Sequence, residues 1–105
     1  MRYILVIFIF ATFPLYLFAV SPNNEADSLW KQSLVLYKKG QYAEAENLFK
    51  RSLEIKEKVF GKEHPDIASI INDLANLYYK QSRLDDAELF YKKSLEIRKK
   101  IFGPD

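Results

Sequence analysis

The sequence predicts an all-α protein built from two antiparallel helix hairpins in tandem, and three observations predict it. First, the chain repeats itself. Residues 45–61 (AENLFKRSLEIKEKVFG) lie over residues 87–103 (AELFYKKSLEIRKKIFG) with ten of 17 positions identical at a constant offset of 42. Second, apolar residues recur at helical spacing, as in Ile67, Ile70, Ile71, Leu74, Ala75 and Tyr78, which share one face of a helix. Third, helix-stopping residues divide the chain at Gly40-Gln41, at Gly61, at the stretch QSRLDD and at Gly103-Pro104.

Residues 1–20, MRYILVIFIFATFPLYLFAV, stand apart from the repeats. One positive charge at Arg2 precedes an apolar run, and no acidic residue appears before Glu25. This is the layout of a secretory signal, with a cut after Ala19 as the expected processing point. The alternative is an uncleaved anchor, since Tyr3 to Val20 is 18 residues, just enough to span a hydrocarbon core. Both readings predict export, either to a periplasmic or secreted compartment or to a membrane that the anchor holds. Membrane contact is expected only if residues 3–20 stay uncleaved.

The first repeat, residues 21–63, is read as a helix of about 24–39, a turn at Gly40-Gln41, and a helix of about 42–60. The second repeat, residues 64–105, follows the same plan. Pro65 suits a first helical turn because its missing N–H costs nothing there, and Asp66 adds a favourable negative charge. Ser82 with Asp85 resembles a capping box that starts the last helix. That helix carries Leu84, Ala87, Tyr91 and Leu95 on one face. Leu53, Ile55, Leu95 and Ile97 read as core, while Glu54/Lys58 and Glu96/Lys100 read as ion pairs on an exposed face.

Paired helices with small residues at fixed places resemble tetratricopeptide repeats. The second copy fits that pattern at Leu74, Ala75, Tyr78, Ala87, Tyr91 and Ser94. The first fits at Leu29, Ala45, Phe49 and Ser52, and departs from it at Gln32 and Ser33. The common repeat has about 34 residues, whereas this one has 42, and with its FG and HPD boundaries it is similar to the kinesin-light-chain type. The resemblance implies a short right-handed solenoid and a non-enzymatic protein–protein interaction module. It also implies that the first helix of each repeat lines a concave groove. The family's groove positions fall on Trp30, Leu34, Tyr37 and Lys38 in the first copy, and on Asn72, Asn76, Tyr79 and Lys80 in the second. Amides there can hold a peptide backbone, lysine can meet a carboxylate, and tyrosine adds a rigid contact.

Composition narrows the alternatives. The chain holds one histidine and no cysteine, and has no glycine-rich phosphate loop. Catalysis, cofactors, thiolate metal sites and disulfides are therefore not expected. Setting aside Arg2 leaves 15 basic and 14 acidic residues, too balanced to favour nucleic acid. Lys50-Arg51, Lys92-Lys93 and Arg98-Lys99-Lys100 alternate with Glu46, Glu54, Glu57, Glu88 and Glu96, as a solvated helical face does. The expected partner is a protein or peptide. Repeat units bury their faces by stacking, so the last helix, with Leu84, Phe90, Tyr91, Ile101 and Phe102, is expected to expose apolar surface. A homo-oligomer through this uncapped helix, a covering partner, and membership of a longer array are the three ways to satisfy it.

His64-Pro65-Asp66 also resembles the tripeptide by which J-domain co-chaperones stimulate their partners. The offset argues against that role. Gly61 maps onto Gly103, and copy one has SPNNEAD at the same place, with proline and acids but no histidine. The tripeptide is read as a boundary between repeats, with His64 as a linker residue.

Overall fold

A computed structural model describes residues 21–103, which form four helices. They are α1 (Pro22–Lys38), α2 (Tyr42–Phe60), α3 (Pro65–Lys80) and α4 (Leu84–Phe102). Residues 1–20, expected to be a signal or an anchor, lie outside the described residues, as do Pro104 and Asp105. Among the described residues, no helix is long and apolar enough to cross a membrane.

Local chemistry starts and stops each helix. The Ser21 hydroxyl caps α1 by accepting from the Asn24 amide at 3.2 Å, ahead of Pro22. The chain leaves α1 through a Schellman turn: Gly40 N–H donates to the Tyr37 carbonyl at 3.0 Å and Gln41 N–H to the Leu36 carbonyl at 2.9 Å. Gly40 takes a left-handed φ of 79°, which glycine adopts without steric cost. The second hairpin turns in the same way, with Ser82 donating to Tyr79 at 3.0 Å and Arg83 to Tyr78 at 2.8 Å. Ser82 stands where Gly40 stands, at φ 62°.

That geometry corrects the expected capping box. Arg83, not Ser82, is the N-cap of α4, and its side chain makes no cap bond to the helix backbone. Ser82 instead serves as the left-handed residue that closes α3. Asp85 and Asp86 do occupy the first turn of α4, where the helix dipole favours them.

α1 packs on α2 and α3 on α4, and α3 also packs on α2 to join the two hairpins. Small residues set the close approach within each hairpin: Ala26 against Ser52, and Ala68 against Ser94. Ser52 Oγ donates to the Ala26 carbonyl at 2.8 Å, and Ser94 Oγ donates to the Ala68 carbonyl at the same distance. These are one bond repeated at the offset of 42. Ser33, where the repeat pattern prefers an even smaller residue, is fully buried and donates to the Leu29 carbonyl at 2.7 Å.

The core between hairpins is Ala45 and Phe49 of α2 against Ile70, Leu74, Leu77 and Tyr78 of α3, with Ala87 of α4. The face predicted for α3 is buried throughout, from Ile67 to Tyr78. The faces predicted for α2 and α4 are not. Leu95 is 52% exposed and Leu84 57% exposed, and Leu53, Ile55 and Ile97 are only half-buried. Among the described residues, nothing packs on the outer side of α4 as α3 packs on α2. The expected ion pairs also shift: Lys100 meets Glu63 at 3.5 Å, while the i,i+4 pairs form at Glu46–Lys50 and Glu88–Lys92.

Candidate functional site

The proposed groove positions recur at i, i+4, i+7 and i+8 on the first helix of each hairpin: 30, 34, 37 and 38 on α1, and 72, 76, 79 and 80 on α3. That spacing puts each set on one face of its helix. Lys38 and Lys80 are the last residues of their helices, both exposed, where the helix dipole favours a cation.

The structure divides the eight residues into three groups. Leu34, Lys38, Tyr79 and Lys80 are exposed, Tyr79 by 61%. Asn72 is half-buried. The others are already engaged. Trp30 packs against the core, and its indole Nε1 donates to Asp73 Oδ2 at 2.7 Å, tying α1 to α3. Tyr37 packs edge-on against Tyr42, with ring centroids 5.6 Å apart. The Tyr91 hydroxyl of α4 donates to Asn76 Oδ1. That bond occupies the amide oxygen of Asn76 and leaves its two N–H donors directed elsewhere.

Asp73 is the residue beside this face that sequence reasoning passed over. Burial pushes its carboxyl above the usual aspartate range, and the Trp30 hydrogen bond and the Arg98 charge offset this only in part. No local pattern marks Asp73, because its partner lies 43 residues away.

Lys56 is a second residue that sequence reasoning passed over. Its side chain is 1% exposed, and its ammonium lies 2.6 Å from Asn23 Oδ1, 2.6 Å from Asp27 Oδ1 and 2.9 Å from Asp66 Oδ2. It also sits 5.3 Å from the Phe60 ring centre and 5.9 Å from that of Trp30. Burial opposes its charge, but the hydrogen bonds to Asp27 and Asp66 outweigh burial and hold the ammonium above the usual lysine range. Three helices converge on it. A signal was available, since Ala45, Phe49, Ser52 and Lys56 continue one buried stripe at i, i+4, i+7 and i+11.

The tripeptide His64-Pro65-Asp66 has a full structural assignment. His64 is the N-cap of α3, its Nδ1 accepting from the Asp66 amide at 3.0 Å. Its ring stacks on Phe60, with centroids 4.0 Å apart and planes 12° apart. It is therefore a cap, more than the plain linker the sequence suggested. Pro65 opens the helix and Asp66 holds Lys56.

A second polar hub joins the hairpins at the other end. Glu46 of α2 accepts from the Tyr78 hydroxyl at 3.0 Å and from Arg83 Nη1 at 3.2 Å, and pairs with Lys50 at 2.8 Å. The Arg83 guanidinium lies over the Tyr78 ring at 4.2 Å. Burial pushes the Glu46 carboxyl up, but the hydrogen bonds from Lys50 and Tyr78 outweigh it and leave it below the usual range.

Two surface depressions lie away from the proposed groove, one lined by Leu36, Glu44, Asn47, Leu48, Lys50 and Arg51, the other by residues that include Ile67, Ile71, Glu96 and Ile97. Among the described residues, no group of three His, Cys, Asp or Glu side chains is placed to hold a metal ion. The architecture is thus one of polar clamps between stacked hairpins. No curated protein matches the sequence. A family model described as tetratricopeptide repeat matches residues 24–100, which takes in nearly all of the four helices. Two hairpins closed by the same serine bond and locked to each other through Lys56, Glu46 and Trp30 belong to the tetratricopeptide repeat family.

Proposed function

We propose that the protein is an exported interaction module that binds an extended segment of a partner protein along the faces of α1 and α3. Members of the family generally act as non-enzymatic protein–protein interaction modules. The observation that carries the reading here is the Trp30–Asp73 bond. It ties α1 to α3 at the point where both sets of groove positions occur, so that neither helix has to be ordered when a ligand arrives. Tyr79 offers a rigid exposed ring, Asn72 and the free amide donors of Asn76 suit a peptide backbone, and Lys38 and Lys80 suit a carboxylate. Contacts of this kind favour an extended peptide carrying an acidic residue or a free C-terminus.

The test is site-specific crosslinking in the protein's own host. A photoreactive residue at position 79 should trap a partner, and one at position 51 on α2 should not. Replacing Asn72, Asn76 and Tyr79 together should abolish capture with helical content unchanged. Equal trapping at both positions, or unimpaired capture by the triple variant, sinks the groove. The compartment rests on residues 1–20, and mass spectrometry of the mature N-terminus decides between cleaved signal and retained anchor. The 42-residue period supports the kinesin-light-chain-like type of repeat.

A second reading, self-association through α4, is favoured by the exposed apolar residues on that helix. Leu84, Leu95 and Phe102 are 57%, 52% and 69% exposed.

A further inference from the structure

The internal repeat supplies a template for what the outer face of α4 lacks. Each residue of α4 has a counterpart 42 positions earlier on α2, where α3 covers the same face. Phe49 is fully buried there, while its counterpart Tyr91 is 36% exposed. Lys56 is 1% exposed and held by Asp66 of the following helix, while its counterpart Arg98 is only half-buried. Leu53 is half-buried and Leu95 exposed. In the described structure, then, α4 presents an apolar stripe that the repeat elsewhere covers, and beside it Arg98, whose charge reaches Asp73 of α3 but which no described following helix covers.

A second copy could cover this face head-to-tail, with its α1 in the place of α3, or symmetrically, α4 on α4. The residues of α1 decide between them. α3 covers α2 with Ile70, Leu74, Leu77 and Tyr78, and the offset places Ser28, Gln32, Val35 and Leu36 at those positions on α1. Ser28 and Gln32 are exposed and hydrogen-bonded to each other at 3.1 Å. Head-to-tail stacking would bury two polar side chains where the template has isoleucine and leucine, a poor exchange. α1 is a polar cap; α4 is not.

The residues on the open stripe of α4 are Leu84, Glu88, Tyr91, Leu95, Arg98 and Phe102, spaced 4, 3, 4, 3 and 4 apart. That is the seam spacing of a coiled coil. It also reads the same in both directions. We infer that two copies of this chain pair through α4 in antiparallel, two-fold symmetric fashion, with the axis at the level of Lys93. This rests on the self-association reading above and adds its register. About that axis Leu84 of one copy meets Phe102 of the other, Tyr91 meets Leu95, and Glu88 meets Arg98. Each contact occurs twice, as a two-fold interface requires.

Charge complementarity supports the register. Glu88 offers Arg98, already within reach of the Asp73 charge in its own chain, a carboxylate from the facing helix, as Asp66 offers one to Lys56. Its present contact, to Lys92 at 3.6 Å with both side chains about 70% exposed, is a weak surface pair that is readily exchanged. On the outer flank the same axis sets Asp85 toward Lys99. It also sets Lys92 toward Lys92, a like-charge contact at the exposed rim, where solvent and salt screen it. Leu89, also exposed, lies off the stripe.

The absence of cysteine from the sequence makes the test direct. The full chain, expressed with its leader and purified in mild detergent, is made as two separate variants, Leu84→Cys and Phe102→Cys. Oxidation of a mixture should give a disulfide-linked heterodimer. Neither variant alone should link to itself, because in this register two copies of residue 84 lie about 27 Å apart, 18 residues at the helical rise, far beyond disulfide reach. Glu88→Arg and Arg98→Glu should each weaken the dimer in sedimentation, and mixing the two should restore it. Self-linking of Leu84→Cys, or indifference to both charge changes, overturns the register while leaving self-association through α4 standing. Sedimentation as a monomer across a hundredfold range of concentration, or as a dimer that Leu95→Glu does not dissociate, removes both.

Discussion

The Lys56 ammonium meets the Asp66 carboxylate at 2.9 Å, and this contact joins the second helix of one hairpin to the first helix of the next. Asp27 and Asn23 complete the site from α1. The three partners do not share Lys56's burial. Asp27 and Asp66 keep 44% and 34% of their side-chain surface, against 1% for Lys56. Removing the acids should therefore cost more than removing the base. Asp27→Ala with Asp66→Ala leaves a buried charge with one amide, and should destabilise by about 3–5 kcal/mol. Lys56→Met keeps the volume and frees two carboxylates to water, and should cost about 1 kcal/mol. Urea unfolding of the three chains gives the order; a loss for Lys56→Met as large as that for the double variant would overturn it.

His64 carries a second prediction, because its role as N-cap can be separated from its ring. Asn is as good a cap as any side chain, but it cannot stack on Phe60. His64→Asn should retain most of the stability and His64→Ala should lose about 1 kcal/mol. If both variants lose the same amount, the Phe60 stack is what His64 supplies. A J-domain activity would instead require both changes to abolish stimulation of an Hsp70 without altering the melt.

The two carboxylates at the hairpin junctions should respond to pH with opposite sign. Glu46 sits below its ordinary range through its Lys50 and Tyr78 bonds, so it stabilises the fold above the unfolded glutamate pKa. That stability is lost as pH falls through the folded value. Asp73 sits above its range because of burial, so its folded form holds a proton more tightly than its unfolded form. It favours the fold in acid and loses that contribution as pH rises past the folded value. Glu46→Gln should thus lower the melting temperature at neutral pH and have little effect in acid. Asp73→Asn, which still accepts from Trp30, should raise it at neutral pH and have little effect in acid. Shifts of the same sign at neutral pH would overturn this assignment.

The repeat and the helical face of α3 were legible because they are local or strictly periodic. Ten identities at one offset and the i, i+3, i+4 recurrence from Ile67 to Tyr78 need no knowledge of packing. What escaped depends on contacts between helices. Lys56 lies on the buried stripe of α2, but a charged side chain there gains its meaning only from neutralising acids on two other helices. Trp30 was read as a groove residue, and its bond to Asp73 spans a separation that no local spacing encodes. Leu95 reads as core because it shares one helical face with Leu84, Ala87 and Tyr91. Equivalent positions in a repeat share burial only where the next helix is present, and no described helix covers Leu95.

Ser82 shows the same lesson as a backbone prediction. Serine beside aspartate three residues on suggests a capping box, yet the offset places Ser82 on Gly40, and the Schellman bonds are the same in both turns. Ser82 thus holds a left-handed φ of 62° with a Cβ, a conformation that costs an L-residue about 1–2 kcal/mol. Glycine removes that strain but adds chain entropy to the unfolded state, so Ser82→Gly should gain about 0.5–1 kcal/mol. In a domain of this size that is a rise of roughly 4 °C in melting temperature. Gly40→Ser should show the reverse. Apart from Gly40 and its two chain neighbours, no atom lies within 4 Å of the Cβ it would add, so the loss there would come from φ alone. A thermal melt in which Ser82→Gly is neutral while Gly40→Ser destabilises would show that the Ser82 side chain compensates for its own strain, and that the two turns are not energetically equivalent.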